Sequence, residues 1–380
     1  MRTVPLAVVC ACAVVYSAQC GDWPIFRGDA ALTGVAKGSI STDPRLLWTF
    51  KSGDTLASSV VVAGGRAFFS TSTQTNGRIF AVNLATGIKA WEFFSPEMFE
   101  APPLIFGDTL IAGSSAQPVA VLYALNLADG KVKWRFQTSD KIVGSANRIK
   151  TPEADLVLVG SFDYFLHAVD SATGVERWSF KTESYVNGTP AVFGNRLAFG
   201  GCDFKLRVLE ASNGVQVVEA LAGSFIPASP AVAGGNAYFG HYGNKAICVN
   251  ISDGATVWEY TEDGAAPFFS SPAVDKDSVV IGGRDRKVHC MNRKDGAKRW
   301  TFQTGGEVDS PPVICGDKVV VGSQDGRLYM LSLSDGSRLW SYEIGAAVDS
   351  SPAIVDGMIL VGADDGNVYA FGPAPGGAKK

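Results

Sequence analysis

Nowhere in the 380 residues do lysines or arginines gather into a run; charged residues make up 18% of the chain and the formal net charge is −4. A chain without a basic cluster lacks the electrostatic footprint of a nucleic-acid binder, so no nucleic-acid partner is expected. Histidine is scarce. His167, His241 and His289 fall in separate stretches, so no catalytic or metal-binding histidine pair is expected. The cysteines form no CxxC, no adjacent pair and no cluster of metal-ligand spacing, and no serine sits on a GxSxG elbow. Beyond residue 20 no helical periodicity appears, which removes bundles and α/β folds from consideration.

Residues 1–20 (MRTVPLAVVCACAVVYSAQC) carry one positive charge, Arg2, then an apolar run over 4–16 that is too short to span a bilayer. They read as a secretion signal cleaved near 17–20, so the chain is expected outside the cytoplasm, periplasmic, bound to the outer membrane or secreted. Acylation of Cys20 or Cys12 is the alternative. SAQC lacks the usual aliphatic residue three positions earlier, and membrane contact is expected only if the chain is lipidated. Residues 21–45 form an arm outside the repeats, in which Trp23, Pro24 and Phe26 predict ordered packing on the body. Its Arg27-Gly28-Asp29 also matches an adhesion tripeptide, a match short enough to arise by chance.

What fills the rest is one pattern. AVDSATGVERW (168–178) recurs at 81–91, 124–134, 248–258, 290–300 and 330–340, with a degraded copy at 208–218 where Val218 replaces tryptophan. The copies end 40 to 44 residues apart, the period of a repeat architecture. Asp-Gly turns between β-branched runs predict four short antiparallel strands per repeat. Trp48 matches the end of a repeat without a beginning, and 341–371 the beginning of a repeat without an end. Joined, they predict an all-β, eight-bladed propeller over 46–371, closed by an N-terminal strand on the last blade, with 372–380 as a frayed tail.

Trp48, Trp91, Trp134, Trp178, Trp258, Trp300 and Trp340 are expected to dock blade on blade, each indole covering apolar area while its N–H reaches a carbonyl. The glycine four residues before most of these tryptophans lets the turn form and leaves room beside a ring. Beyond the leader the cysteines are Cys202, Cys248, Cys290 and Cys315. Cys248 and Cys290 hold the motif position of Ala81, Ala124 and Ala168, which predicts small buried side chains; equivalent positions in different blades are usually too far apart for a disulfide.

The AxDxxTGxxxW-like motif in eight tandem blades resembles the PQQ-like repeat family, and the absence of a Trp-Asp dipeptide argues against WD repeats. The resemblance spans residues 46–371 and implies two branches. In one, quinone-dependent dehydrogenases hold PQQ over Ca²⁺ in a central funnel, against a tryptophan and, in many members, a disulfide of adjacent cysteines. In the other, propellers without a cofactor serve as scaffolds, the BamB-type subunit of outer-membrane β-barrel assembly among them. Lacking adjacent cysteines and long insertions, the chain fits the second. The expectation is a non-enzymatic scaffold without a cofactor, its partners envelope proteins such as β-barrel assembly components. A PQQ/Ca²⁺ dehydrogenase and a secreted carbohydrate-binding propeller stand as alternatives.

The residues before the inner strands should ring the funnel: Ala57, Glu100, Gly144, Asn187, Pro227, Phe269, Asp309 and Asp349. Among them Glu100, Asn187, Asp309 and Asp349 offer oxygen ligands, readable either as a Ca²⁺ site or as a solvated acidic mouth. His167 and His289 take the slot of Tyr123, Tyr329 and Tyr369 and read as packing substitutes, and His241 as a hairpin residue.

Overall fold

The computed structural model describes residues 21–56 and 58–373. The secretion signal expected over 1–20, the funnel position Ala57 and the tail beyond 373 lie outside them. Eight four-stranded antiparallel sheets follow one another around a ring, and the described residues include no helix. Blades one to seven cover 61–95, 104–138, 147–181, 191–221, 231–260, 273–303 and 313–343. Blade eight takes three strands from 353–372 and its outermost strand, Arg45–Lys51, from the N-terminus. That strand runs antiparallel to Asn367–Gly372 with Trp48 opposite Ala370, so the two half-repeats complete one another as expected.

Each motif is the outer hairpin of a blade. Its first residue stands opposite its last, as in Ala168 with Trp178, Cys248 with Trp258 and Cys290 with Trp300. The side chain beside an indole must be compact, and Ala168, Cys248 and Cys290 are fully buried. Every turn closes through a glycine at positive φ, such as Gly174 at 75°, whose N–H bonds back to the carbonyl of the third motif residue. A non-glycine residue adopts that conformation only at a steric penalty, and the extra turn residue produces the bulge that follows.

Six of the indoles donate to a carbonyl of the next blade: Trp48 to Leu84, Trp91 to Leu127, Trp134 to Ser171, Trp178 to Ala211, Trp258 to Arg293 and Trp300 to Leu333, all at 2.9–3.0 Å. The glycine spacing has a reason the sequence alone misassigns. A Cβ on Gly174 would stand 2.7 Å from Trp134, and one on Gly336 2.6 Å from Trp300, so each glycine makes room for the indole of the preceding blade, not its own. Blade eight has no motif turn, and Trp340 has no such acceptor among the described residues; it packs edge-on against Phe371 instead.

The arm is ordered, and it lies inside the ring. Backbone bonds tie it in succession to the inner strands: Trp23 to Val62, Pro24 to Ile105, Ala30 to Val192, Ala31 to Val232, Thr33 to Val274 and Gly34 to Ile314. The carboxamide of Asn147 in blade three bonds the Ala30 carbonyl, and Val35–Ala36 then adds a short parallel strand to blade seven. Residues 23–36 thus close the central channel. At their centre Arg27, wholly buried, donates to Ser351 of blade eight at 2.7 Å and to the carbonyls of Pro272 and Pro312. Desolvation lowers its pKa to about 9, which leaves it charged at neutral pH. A guanidinium held among carbonyls inside the protein is unavailable to any outside receptor, so the adhesion reading of 27–29 fails.

Candidate functional site

The channel has a mouth where the chain enters each inner strand. The cavity there has a volume of about 210 Å³ and a floor formed by Phe26 of the arm; Glu100, Gly144, Asn187, Pro227, Phe269, Asp309 and Asp349 all line it, so one end of the ring does collect the positions aligned from the sequence. Pockets for drug-sized ligands run to about 300–1,000 Å³, so this cavity admits a side chain or a few atoms more readily than a large planar group.

The four oxygen-bearing candidates differ in state. Asp309 is held by Arg284, whose Nε and Nη2 donate to its carboxylate at 2.7–3.1 Å, and Arg284 in turn lies 3.5 Å from the centre of the Phe269 ring. Asp349 is paired with no cation among the described residues. Burial, then the charges of Asp364 and Asp309, push its carboxyl up to about 6, and its buried Oδ1 has no hydrogen-bond partner among the described residues. Asn187 points its amide toward the Pro227 carbonyl at 3.5 Å and accepts from the Cys202 thiol. Glu100 is exposed and also borders a larger cavity of about 740 Å³ with Asp54, Asp364 and Asp365. Blades seven, eight, one and two therefore make the mouth acidic.

A quinone sandwiched between an indole and a disulfide does not fit these residues. The lining contains no tryptophan, Trp23 is buried in the arm against Gly28, and Cys202, Cys248, Cys290 and Cys315 are free thiols in four different blades. Of the rim carboxylates, Asp309 already takes positive charge from Arg284.

His167 and His289 lie in the expected tyrosine slot. Tyr329 and Tyr369 donate to the turn residues Asp325 and Asp365, and the histidines bond the same position, His167 with Asp163 at 3.1 Å and His289 with Asp285 at 3.1 Å. For His167 burial lowers the pKa, but the bonds to Asp163 and Glu176 outweigh it and the net shift is upward. His241 is a hairpin residue as expected, ending the strand Asn236–His241 with its ring buried and accepting from the Gly243 amide. Sequence reasoning missed that Glu262, Asp285 and His289 converge, because Glu262 reaches in from the preceding blade. Lys298 and Lys287 pair with Glu262, so this group reads as an ion-pair cluster.

It also missed an aromatic surface on the same face. Phe162 and Tyr185 stack at 4.5 Å and Phe204 and Phe225 lie tilted with centroids 4.6 Å apart; Tyr242 touches both Phe225 and Phe269. These rings sit in loops outside the eleven-residue motif, where a search for the motif finds no signal.

A family model described as "Outer membrane protein assembly factor BamB" matches residues 36–179, 163–300 and 262–379. Among solved structures, BamB from Moraxella catarrhalis aligns with a TM-score of 0.72 at 17% identity, over 88% of this chain and 98% of that one. A quinohemoprotein alcohol dehydrogenase from Comamonas testosteroni aligns at 0.75 and 14% identity over 92% and 80%, and the computationally designed Ika8 protein at 0.74 and 15% over 87% and 100%. At these identities the likeness is one of fold. A search of curated protein sequences finds no match. With three overlapping matches that together span nearly the whole chain, the protein belongs to the PQQ-like repeat propeller family whose model carries the BamB description.

Proposed function

We propose that the chain is a non-enzymatic scaffold acting outside the cytoplasm, in the manner of the assembly factor for which its family is described, and that its partners are envelope proteins, β-barrel assembly components among them. The observation that carries this reading is the channel: the arm occupies it and Arg27 is committed to structural bonds, so what remains at the mouth is a shallow surface of loops. Interfaces between proteins use such surfaces, with aromatic rings as anchors and charge to steer the encounter. The test is affinity capture from envelope extracts with the tagged full chain, read by mass spectrometry. Recovery of outer-membrane assembly proteins supports the reading. Turnover of alcohols or aldoses after addition of PQQ and Ca²⁺ to the purified chain, followed with an electron-accepting dye, overturns it in favour of a dehydrogenase.

A further inference from the structure

One turn, between the second and third strands of each blade, shows how the mouth is built. Its residue that bonds to the loop before the inner strand is Phe162, Cys202, Tyr242, Arg284, Gln324 and Asp364 in blades three to eight. Two residues later comes a position at positive φ. Gly326 and Gly366 occupy it in blades seven and eight and Asn244 in blade five, the residues that tolerate this conformation best, while blade six places Arg286 there at φ 66°. In blades three and four the same position holds Tyr164 at φ 75° and Phe204 at φ 64°. A bulky ring there is a backbone outlier, and such strain collects where function needs the side chain.

Packing does not account for these two rings, because Tyr164 is 40% exposed and Phe204 44%. Tyr164 packs against Tyr185, and Phe204 against Phe225 and through it Tyr242, these partners being 39–49% exposed. From Phe204 the contacts run through Phe225, Tyr242 and Phe269 to Arg284 and Asp309, so the aromatic half of the mouth passes through one cation into the acidic half. Beyond Asp309 lie Asp349 and Asp364, with no arginine or lysine among the described residues paired to either.

We infer that the funnel mouth is a docking surface for an extended polypeptide segment in which aromatic or aliphatic residues are followed by lysine or arginine, the apolar part on the rings of blades three to five and the basic part over the carboxylates of blades seven and eight. Charge complementarity selects this occupant. An acidic segment meets repulsion over half of the surface, and a glycan finds rings already packed on one another, Tyr164 on Tyr185 and Phe204 on Phe225. The inference rests on the scaffold reading and names the chemistry of the partner.

Fluorescence anisotropy with the full chain and three labelled twelve-residue peptides tests it: one with alternating Phe and Leu followed by Arg-Lys-Arg, one with those cations replaced by Glu, and one with Ser in place of the apolar residues. The first is expected to bind, and each of the others at least about tenfold more weakly, as loss of one anchor or reversal of charge predicts. Tyr164→Gly combined with Phe204→Gly is expected to weaken binding of the first peptide at least about tenfold while the melting temperature holds or rises, because glycine relieves the positive φ. A structural role alone gives the opposite pattern, a lower melting temperature with unchanged affinity, and that result overturns the inference. So does equal binding of the acidic peptide, or glycan-array binding that the double variant abolishes while the first peptide stays unbound. If the double variant still captures the envelope partners, the scaffold reading stands and this surface alone is refuted.

Discussion

Six blade boundaries carry the same contact, an indole N–H on a carbonyl of the next blade with a glycine beneath the ring. Around the funnel mouth, by contrast, one turn position is in succession aromatic, thiol, aromatic, cationic, amide and carboxylate. Both sets sit on the same repeated backbone, so the difference is one of use. Where every blade must solve the same packing problem, one residue type recurs. Where only a subset of blades meets a partner, the chemistry diverges, as expected when interfaces stack a rigid repeat and loops carry recognition.

The sharpest break in the comparison comes from the boundaries themselves. Trp300→Ala is expected to destabilise the chain by about 3–5 kcal/mol, the range for deleting a buried aromatic ring, measured by denaturant unfolding. Gly336→Ala, in the next blade, should cost about 2 kcal/mol with Trp300 intact, since the methyl would meet the ring and the φ of 74° disfavours it. If Gly336→Ala is neutral, the glycine serves only the turn.

Blade four allows the converse test. Val218 stands where the indole is missing, yet the next blade keeps Gly254, and a Cβ there would lie 3.1 Å from Val218. Val218→Trp is expected to stabilise by about 1 kcal/mol, with the new N–H directed at the Ile251 carbonyl, the counterpart of the acceptors used elsewhere. A lower melting temperature would show that this boundary has closed around the smaller side chain.

At the hub the expected sign reverses. The Asp349 carboxyl is raised above its ordinary value, so the folded state takes up its proton first and is most penalised at neutral pH, a penalty relieved as pH falls from about 6 toward 4. Asp349→Asn should therefore stabilise at pH 7.5, by about 1 kcal/mol once solvent screening is allowed for, and the gain should vanish near pH 4 in thermal melts. The smallest effect is chemical. Burial raises Cys248 and Cys290 to about 12, and among the four described cysteines alkylation of the native chain should modify Cys202, which is half-buried, and spare the buried Cys248, Cys290 and Cys315.

The propeller was legible because its evidence is local and repeated. Blade number, the closing strand at Trp48 and the compact residues opposite each indole all follow from an eleven-residue hairpin whose side-chain requirements are the same at every copy. The funnel ring was legible for the same reason, since aligning the repeats aligns the starts of the inner strands. Their states were not: that Arg284 claims Asp309 and leaves Asp349 unpaired depends on contacts between neighbouring blades, as does the meeting of Glu262 with His289.

By itself the sequence determined the number of blades, their order and the indole seams, because a period of about forty residues with a hairpin at each end leaves a closed ring as the way to bury every sheet face. Only the tertiary structure decided that residues 23–36 thread the hub, that Arg27 is a buried strut, and that five exposed rings from three blades pack in two groups beside a set of carboxylates. Those arrangements join residues that are far apart in the chain and outside the motif, and proximity of that kind is created by closing the ring.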